Sequence, residues 1–279
     1  MCKPALLIDA RNALYRAIYA VKADRRHSIK YHYFVVFLRQ ITTWMNKHRP
    51  GSVHVFWDAP RETVWRRLVL ETYKTRVAST YVEDISEDLT MTTNVAKEFF
   101  KVMGVRQYER KQMEADDLIY AASINLHPQP SIIVSTDSDM VQIPFLLSSS
   151  SVYNPKKQEI VEVPECNPVL QKALAGDKAD SIDGYYGIGP VKSAALLEDN
   201  NTLRGFLDSK GRRLFQRNML LIDLSLCPRL LANRIYVQKV LSREVPFDKD
   251  TIDELIKKYK VIGFQSEYTD LTIPFMSLE

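Results

Sequence analysis

The chain has too little cysteine to be held together by it. Three thiols, Cys2, Cys166 and Cys227, are scattered over 279 residues, with no CxxC pair and no histidine at zinc-finger spacing. This points to a reducing compartment and excludes a structural zinc of the finger type. Long apolar runs are missing as well. The N-terminal stretch Ala5-Leu6-Leu7-Ile8 is too short for a signal peptide, and nothing later approaches the ~18 apolar residues of a membrane span. A cytoplasmic protein without a membrane partner is the expectation. Internal repeats are absent, and low complexity is confined to Ser148–Ser151. A hydrophobic content of 46% and a charged content of 26% are ordinary for a soluble globular protein. The length leaves room for one large domain or two modest ones.

What the chain has is acid in clusters. Glu114-Ala115-Asp116-Asp117 puts three carboxylates within four residues, just ahead of the apolar run Leu118–Ala122. That run reads as a helix burying one face, so Glu114 and Asp117 share a side of its first turn. One acid is enough to complement a helix dipole, at under about 1 kcal/mol. Three together repel one another unless a cation compensates. On this stretch alone, metal ligation and dipole complementation stand level.

Other acids sit at the ends of strands. Residues 4–9 read as a buried strand ending in Asp9, and residues 52–57 as another delivering Asp58. A third, 131–135, has the Ile132-Ile133-Val134 run of parallel strands buried on both faces and leads into Asp137 and Asp139. Strand C-termini are where open α/β sheets place their sites. Apolar spacing predicts helices over 12–21, carrying Arg16, over 31–47 and from 95 to 102, and a short strand over 105–108. A basic stretch, Arg61, Arg66, Arg67 and Tyr73-Lys74-Thr75-Arg76, precedes a weakly patterned segment, 77–94. That segment reads as a partly helical excursion outside the core, and a solvated loop explains its charges equally simply.

A hairpin is expected around Asn154–Lys157. From about Pro164 the pattern turns helical, so the expected division is an α/β core over 1–163 and a smaller helical region over 164–279. Asp177 and Asp180 open that region. Gly187-Ile188-Gly189-Pro190 suggests a helix-hairpin-helix over 177–198, whose turn would aim backbone N–H groups at phosphate without reading bases. The fold class expected is α/β, a mostly parallel sheet flanked by helices.

Nine acids then line up: Asp9, Asp58, Glu114, Asp116, Asp117, Asp137, Asp139, Asp177 and Asp180. Two divalent ions ~4 Å apart need about that many hard oxygen ligands, and such sites cleave phosphodiesters. With these nine neutralised, the net charge of +4 becomes +13, a surface suited to a polyanion. A net charge of +4 by itself means little.

These motifs together resemble the 5′ nuclease family: flap endonucleases, phage ribonuclease H-type 5′–3′ exonucleases and the 5′-nuclease domain of DNA polymerase I. The resemblance spans most of residues 4–198. It rests on Leu-Leu-Ile-Asp-x-x-Asn from Leu6, Phe-Trp-Asp from Phe56, Tyr-Lys-x-Arg from Tyr73, and Glu-Ala-Asp-Asp from Glu114. Ser-Thr-Asp-Ser-Asp-Met-Val-Gln from Ser135, Gly-Asp-x-x-Asp-Ser-Ile-x-Gly from Gly176 and Gly-Ile-Gly-Pro from Gly187 complete it. It implies a PIN-like core with one metal cluster of Asp9, Asp58, Glu114, Asp116 and Asp117, and another of Asp137, Asp139, Asp177 and Asp180. Mg²⁺ would fill them, with Mn²⁺ able to substitute.

The resemblance further implies that Lys74 and Arg16 contact the scissile phosphate, that Tyr73 stacks on the terminal base, and that residues ~75–95 form an arch for the 5′ end. Arg76, Gly187, Gly189 and Lys192 would hold DNA, often with K⁺ at the hairpin. The implied activity is 5′–3′ exonucleolysis and flap cutting, with RNA-primer removal, on branched or 5′-ended DNA and RNA–DNA hybrids in DNA replication and repair. A monomer is expected, with a sliding clamp or single-strand binding protein as candidate partners. Ile273–Leu278 reads as a peptide for a sliding clamp or as a frayed or packed tail. Arg217–Leu224 looks like the phage branch, which implies a phage-encoded enzyme acting in the host cytoplasm. Two departures stand out: only Thr75 separates Lys74 from Arg76, where the family usually has two residues, and Val191 precedes Lys192 where the family places Lys directly.

Two other readings compete with this one. Asp137-Ser138-Asp139-Met140-Val141 also fits the DxDx[TV] signature of haloacid-dehalogenase-type phosphatases, but that motif opens its fold near the N-terminus and would leave Asp9, Asp58 and Glu114–Asp117 unexplained. A non-catalytic DNA-binding protein would leave nine acids without compensation.

Overall fold

A computed structural model of the chain describes residues 2–23, 32–75, 85–261 and 264–278. Arg76 and the first part of the expected arch lie outside the described residues. The sheet is built on β1 (Ala5–Asp9), with β2 (Ser52–Trp57), β3 (Val105–Glu109), β4 (Ser131–Val134), β5 (Ser150–Asn154) and β6 (Glu159–Ile160). Its order is β3-β2-β1-β4-β5-β6, parallel throughout except for the β5–β6 pair. Both neighbours of β1 pair from Ala5, with Ser52 on one side and Ser131 on the other. The strand is apolar on both faces because both are covered: Leu6 and Ile8 face one core, Ala5 and Leu7 the other.

One face is covered by α1 (Ala10–Ala23), α2 (His32–His48) and, after the single turn α3 (Arg66–Val69), α4 (Ser86–Phe100). They contribute Leu14, Phe34, Phe37, Phe99 and Phe100. The other face is covered by α5 (Ala115–Leu126), followed by the short α6 (Gln142–Leu146). The sequence places β2 and the turn after β5 where the structure has them. Helix α4 starts at Ser86, earlier than its apolar spacing shows, because its first turns bury little before Thr92.

Beyond residue 163 the chain does two things. Helices α7 (Pro168–Ala175), α8 (Pro190–Leu197), α9 (Asn200–Lys210) and α10 (Arg213–Ile222) pack with a two-stranded hairpin, β7 (Gly176–Asp177) and β8 (Ile182–Asp183). Then α11 (Leu230–Leu241) returns to the α5 face with Val237 and Val240, while α12 (Lys249–Tyr259) and α13 (Phe264–Met276) return to the α2 face with Ile252, Leu271 and Phe275. Phe275 is buried while Ile273 and Met276 are exposed, so the tail is the end of a helix anchored by one side chain. Among the described residues no helix is long and apolar enough to cross a membrane. Strand order reverses between β1 and β4, and open α/β sheets form their binding crevice at such a switch point, outside the C-terminal strand ends.

Candidate functional site

The first acids are delivered by backbone position. Asp9 ends β1; its Oδ1 accepts from the Asn12 amide at 3.1 Å and its Oδ2 from Ser135 Oγ at 3.1 Å. Asn12 in turn donates to Thr136 Oγ1 (2.7 Å) and accepts from the Thr136 amide (3.2 Å), which ties the ends of β1 and β4 together across the switch point. Asp58, immediately after β2, accepts from the Ala115 amide at 2.8 Å, at the N-terminus of α5. Burial, reinforced by the charges of Asp58 and Asp137, raises the Asp9 carboxyl to about 7. Burial also raises Asp58, and burial with Asp137 and Asp9 raises Asp116 well above the carboxylate range. Carboxylates that push one another towards protonation mark a place short of positive charge.

Glu114 and Asp117 are handled differently. Glu114 is the N-cap of α5 and Asp117 its N3 residue, joined in a capping box. Arg66 reaches both from α3: Nη2 donates to Asp117 Oδ1 (2.9 Å), and Nη1 to Asp117 Oδ2 (3.0 Å) and Glu114 Oε2 (2.7 Å). Trp65 Nε1 adds a third bond to Asp117 at 3.0 Å. Asp117 is fully buried, with both oxygens engaged. Glu114 also accepts from Lys74 Nζ at 2.7 Å and Tyr73 OH at 3.1 Å. Burial would raise it, but Arg66 and Lys74 outweigh that and hold it at about 2.

Tyr73 differs from its expected role. It is only 3% exposed, packed with Val64, Val169 and Ile182, and its hydroxyl is shared between Glu114 and Asp180. No ring face is left for a base. Lys74 follows in the left-handed region (φ 52°), its amide donating to the Asp180 carbonyl at 2.9 Å and its Nζ lying 3.7 Å from Asp180 Oδ2. One ammonium thus spans the two acid groups.

In the second group, Asp137 Oδ1 accepts from the Asp139 amide at 2.8 Å, which caps the turn Ser138–Val141. Asp177 and Asp180 come from the β7–β8 hairpin, which closes only because two glycines meet there. A Cβ on Gly176 (φ 79°) would lie 2.3 Å from Gly184 N, and one on Gly184 2.1 Å from Ala175 C. Lys172 of α7 bonds both Asp139 and Asp177, the latter at 2.8 Å. Burial works to raise Asp177, but Lys172 outweighs it and lowers the group; at Asp139 burial wins and raises the carboxyl to about 6.

A cavity of about 250 Å³ opens beside the first group, lined by Arg11, Tyr15, Asp58, Arg61, Lys74 and Glu114. Sequence reasoning passed over Arg11, Tyr15 and Lys172. Arg11 lies two residues past Asp9 and Tyr15 one turn further on, which was a usable signal; Lys172 carried none. Arg16 donates to the Pro155 carbonyl at 3.2 Å, beside the β5–β6 turn. Gly187 (φ 74°) and Gly189, the N-cap of α8, have open space around them, and Lys192 is exposed.

Among the described residues no three Asp, Glu, His or Cys side chains close a coordination sphere by themselves. Hard carboxylate oxygens without thiol or imidazole nonetheless suit Mg²⁺, which is typically held by one or two carboxylates and keeps several waters.

Residues 4–171 match the model of a family described as 5′-3′ exonuclease, N-terminal resolvase-like domain. The chain is 26% identical over 229 residues to a 5′-3′ exonuclease of Aquifex aeolicus, covering 77% of this chain and 75% of that one. It is 28% identical over 226 residues to the flap endonuclease Xni of Shewanella denitrificans, covering 76% and 85%. In structure it is similar to a bacteriophage T5 flap endonuclease variant in a pseudo-enzyme–product complex with DNA and metal ions, with a TM-score of 0.63 at 16% identity over 92% of this chain and 98% of that chain.

Proposed function

The chain belongs to the 5′-3′ exonuclease family, and from that premise we propose that it is a divalent-metal-dependent, structure-specific 5′ nuclease. It cuts branched or 5′-ended DNA and removes RNA from RNA–DNA hybrids during replication or repair, in a phage setting. The observation that carries this reading is the gathering of two acid groups at the switch point with Lys74 between them. Asp9, Asp58, Glu114 and Asp116 would hold one ion, and Asp137, Asp139, Asp177 and Asp180 the other. Asp117 stands behind them, engaged by Arg66 and Trp65. When bound, such a pair of Mg²⁺ ions activates a water and stabilises the leaving oxygen.

The chain's own residues do the rest. Lys74 and Arg11 present positive charge to the scissile phosphate. Tyr15, which lines the cavity, takes the stacking role that Tyr73 cannot. The turn at Gly187–Gly189 and Lys192 hold duplex backbone, and K⁺ suits that turn. Residues 1–163, with α11–α13 packed back on the sheet, form the nuclease core, and α7–α10 supply the duplex grip. The dehalogenase-type reading is disfavoured because it gives no work to Asp9, Asp58 or Glu114.

The test is cleavage of labelled 5′-flap DNA and of an RNA–DNA hybrid in Mg²⁺, against a chelator. Asp137→Asn combined with Asp139→Asn should abolish cleavage and leave DNA affinity within about tenfold, since ligands act on chemistry and Lys/Arg on backbone binding. Near-normal turnover in that double variant would refute the two-metal assignment.

A further inference from the structure

A second cavity lies next to the catalytic one and shares with it the wall of Arg11, Asp58 and Ala59. Its volume is about 300 Å³, at the lower end of the roughly 300–1,000 Å³ that takes a small organic ligand. Leu89 gives it an apolar wall, with Leu14 and Trp57 almost wholly buried behind it, and α4 turns Thr90, Thr93 and Asn94 towards it. Lys97 and Glu109, paired at 2.7 Å, stand at its edge, with Lys97 also 5.3 Å from the Trp57 ring centre. No step of the proposed chemistry uses this space.

Its position along the sheet suggests the occupant. The order β3-β2-β1-β4 puts this cavity at the ends of β2 and β3, Asp58 and Asp9 at β2 and β1, and Asp137 and Asp139 beyond β4. The β7–β8 hairpin and the Gly187–Gly189 turn lie with that last group, as Asp177, Asp180 and Pro190 border one space with Asp137 and Asp139. A duplex held at the turn therefore runs across the carboxylates towards the second cavity. A 5′ nuclease keeps the duplex and releases the 5′ side, so the nucleotide arriving there is 5′ of the cut. A nucleobase has flat apolar faces and a polar edge. The Thr93 hydroxyl and the Asn94 carboxamide both donate and accept, and the Thr90 hydroxyl, whose hydrogen goes to the Ser86 carbonyl at 2.9 Å, still accepts, so the three can satisfy any base edge. Arg11, on the shared wall, sits where the linking phosphate would pass.

We propose that this cavity receives the base of the nucleotide immediately 5′ to the scissile phosphate and so fixes which phosphodiester is cut. The inference rests on the nuclease reading above. Its test uses two 5′-flap substrates that differ only there, one with a base and one with an abasic tetrahydrofuran residue. Single-turnover rates in Mg²⁺ are compared for the unmodified protein and for Thr93→Trp, which fills the cavity from a half-buried helix position. Removing the base should slow the unmodified protein roughly tenfold, the scale of one stacked base in a protein site. Thr93→Trp should slow cleavage of the intact substrate comparably, and the two losses should not multiply.

Equal rates on both substrates by the unmodified protein would overturn the proposal whatever the variant does. Losses that multiply would overturn it too. If the unmodified protein fails to cut even the intact flap in Mg²⁺, the nuclease reading falls and takes the cavity assignment with it, an outcome distinct from cleavage that ignores the base.

Discussion

Lys74 holds a left-handed backbone conformation (φ 52°) that costs an L-residue about 1–3 kcal/mol, and its amide and ammonium both engage Asp180. The conformation aims the side chain between Glu114 and Asp180. Burial works to lower its pKa, but Glu114, Tyr73 and Asp180 outweigh that and raise it well above the usual value, so it stays charged. If that charge stabilises the scissile phosphate in the transition state, Lys74→Ala should cut single-turnover cleavage by roughly a hundredfold or more. Affinity should change only by about a few-fold, since such contacts show in kcat. A variant that binds poorly but cleaves normally once saturated would make Lys74 a steering charge. Arg66 is the opposite kind of cation, buried behind the site against Glu114 and Asp117. Arg66→Met leaves Asp117 buried without a counter-ion and Glu114 with Lys74 alone, and should cost about 3–5 kcal/mol of stability by urea denaturation; a loss under about 1 kcal/mol would mean the pair is solvated. The acids were legible as clusters at strand ends and helix starts, and Lys74 only through the Tyr-Lys motif it shares with the family. The roles of Arg66 and Lys172 were not, because a basic residue in sequence looks like a solvated one until its partners are known.

Parallel strands were the most legible elements, since burial on both faces leaves an unbroken apolar run, as in Ile132-Ile133-Val134. Helix α4 was legible only where Val95, Ala96, Phe99 and Phe100 bury. His54 within β2 reads simply as a sheet residue, yet it has its own consequence. It is 1% exposed, with Ser52 Oγ at 2.8 Å from Nε2 and Tyr108 OH at 2.9 Å from Nδ1. Burial, with the nearby Arg106 charge, lowers its pKa to about 3. An unfolded histidine titrates near 6.5, so between those values the unfolded chain binds the extra proton. This contribution to stability is therefore present above pH ~6.5 and lost as pH falls towards 3. Between pH 7 and 5 the native protein should lose about 2 kcal/mol more than His54→Gln does. Urea denaturation of both at the two pH values checks this, and parallel losses would show that His54 is protonated in the folded state.

At the scale of the whole molecule, the reading from sequence saw a core followed by a helical region, but could not see α11–α13 returning to both faces of the sheet. Amphipathic spacing shows that a helix buries a face, not against what. The return leaves α7–α10, with the Gly187–Gly189 turn and the exposed Lys192, standing beside the carboxylates as the part free to meet a duplex. A turn offering backbone N–H groups and lysines contacts phosphates, and phosphates carry no base identity. Binding should then be blind to sequence and set by shape. Neutralising several phosphates releases their counterions, so log affinity for duplex flaps should fall linearly with log salt, by about 0.9 per phosphate contacted. Removing one such contact by Lys192→Ala should shallow the slope by about 1. Fluorescence anisotropy with the cleavage-dead Asp137→Asn, Asp139→Asn variant gives both slopes without substrate loss. An unchanged slope would remove Lys192 from the phosphate-binding face, and a marked preference among flaps of one shape but different sequence would mean that base edges are read after all.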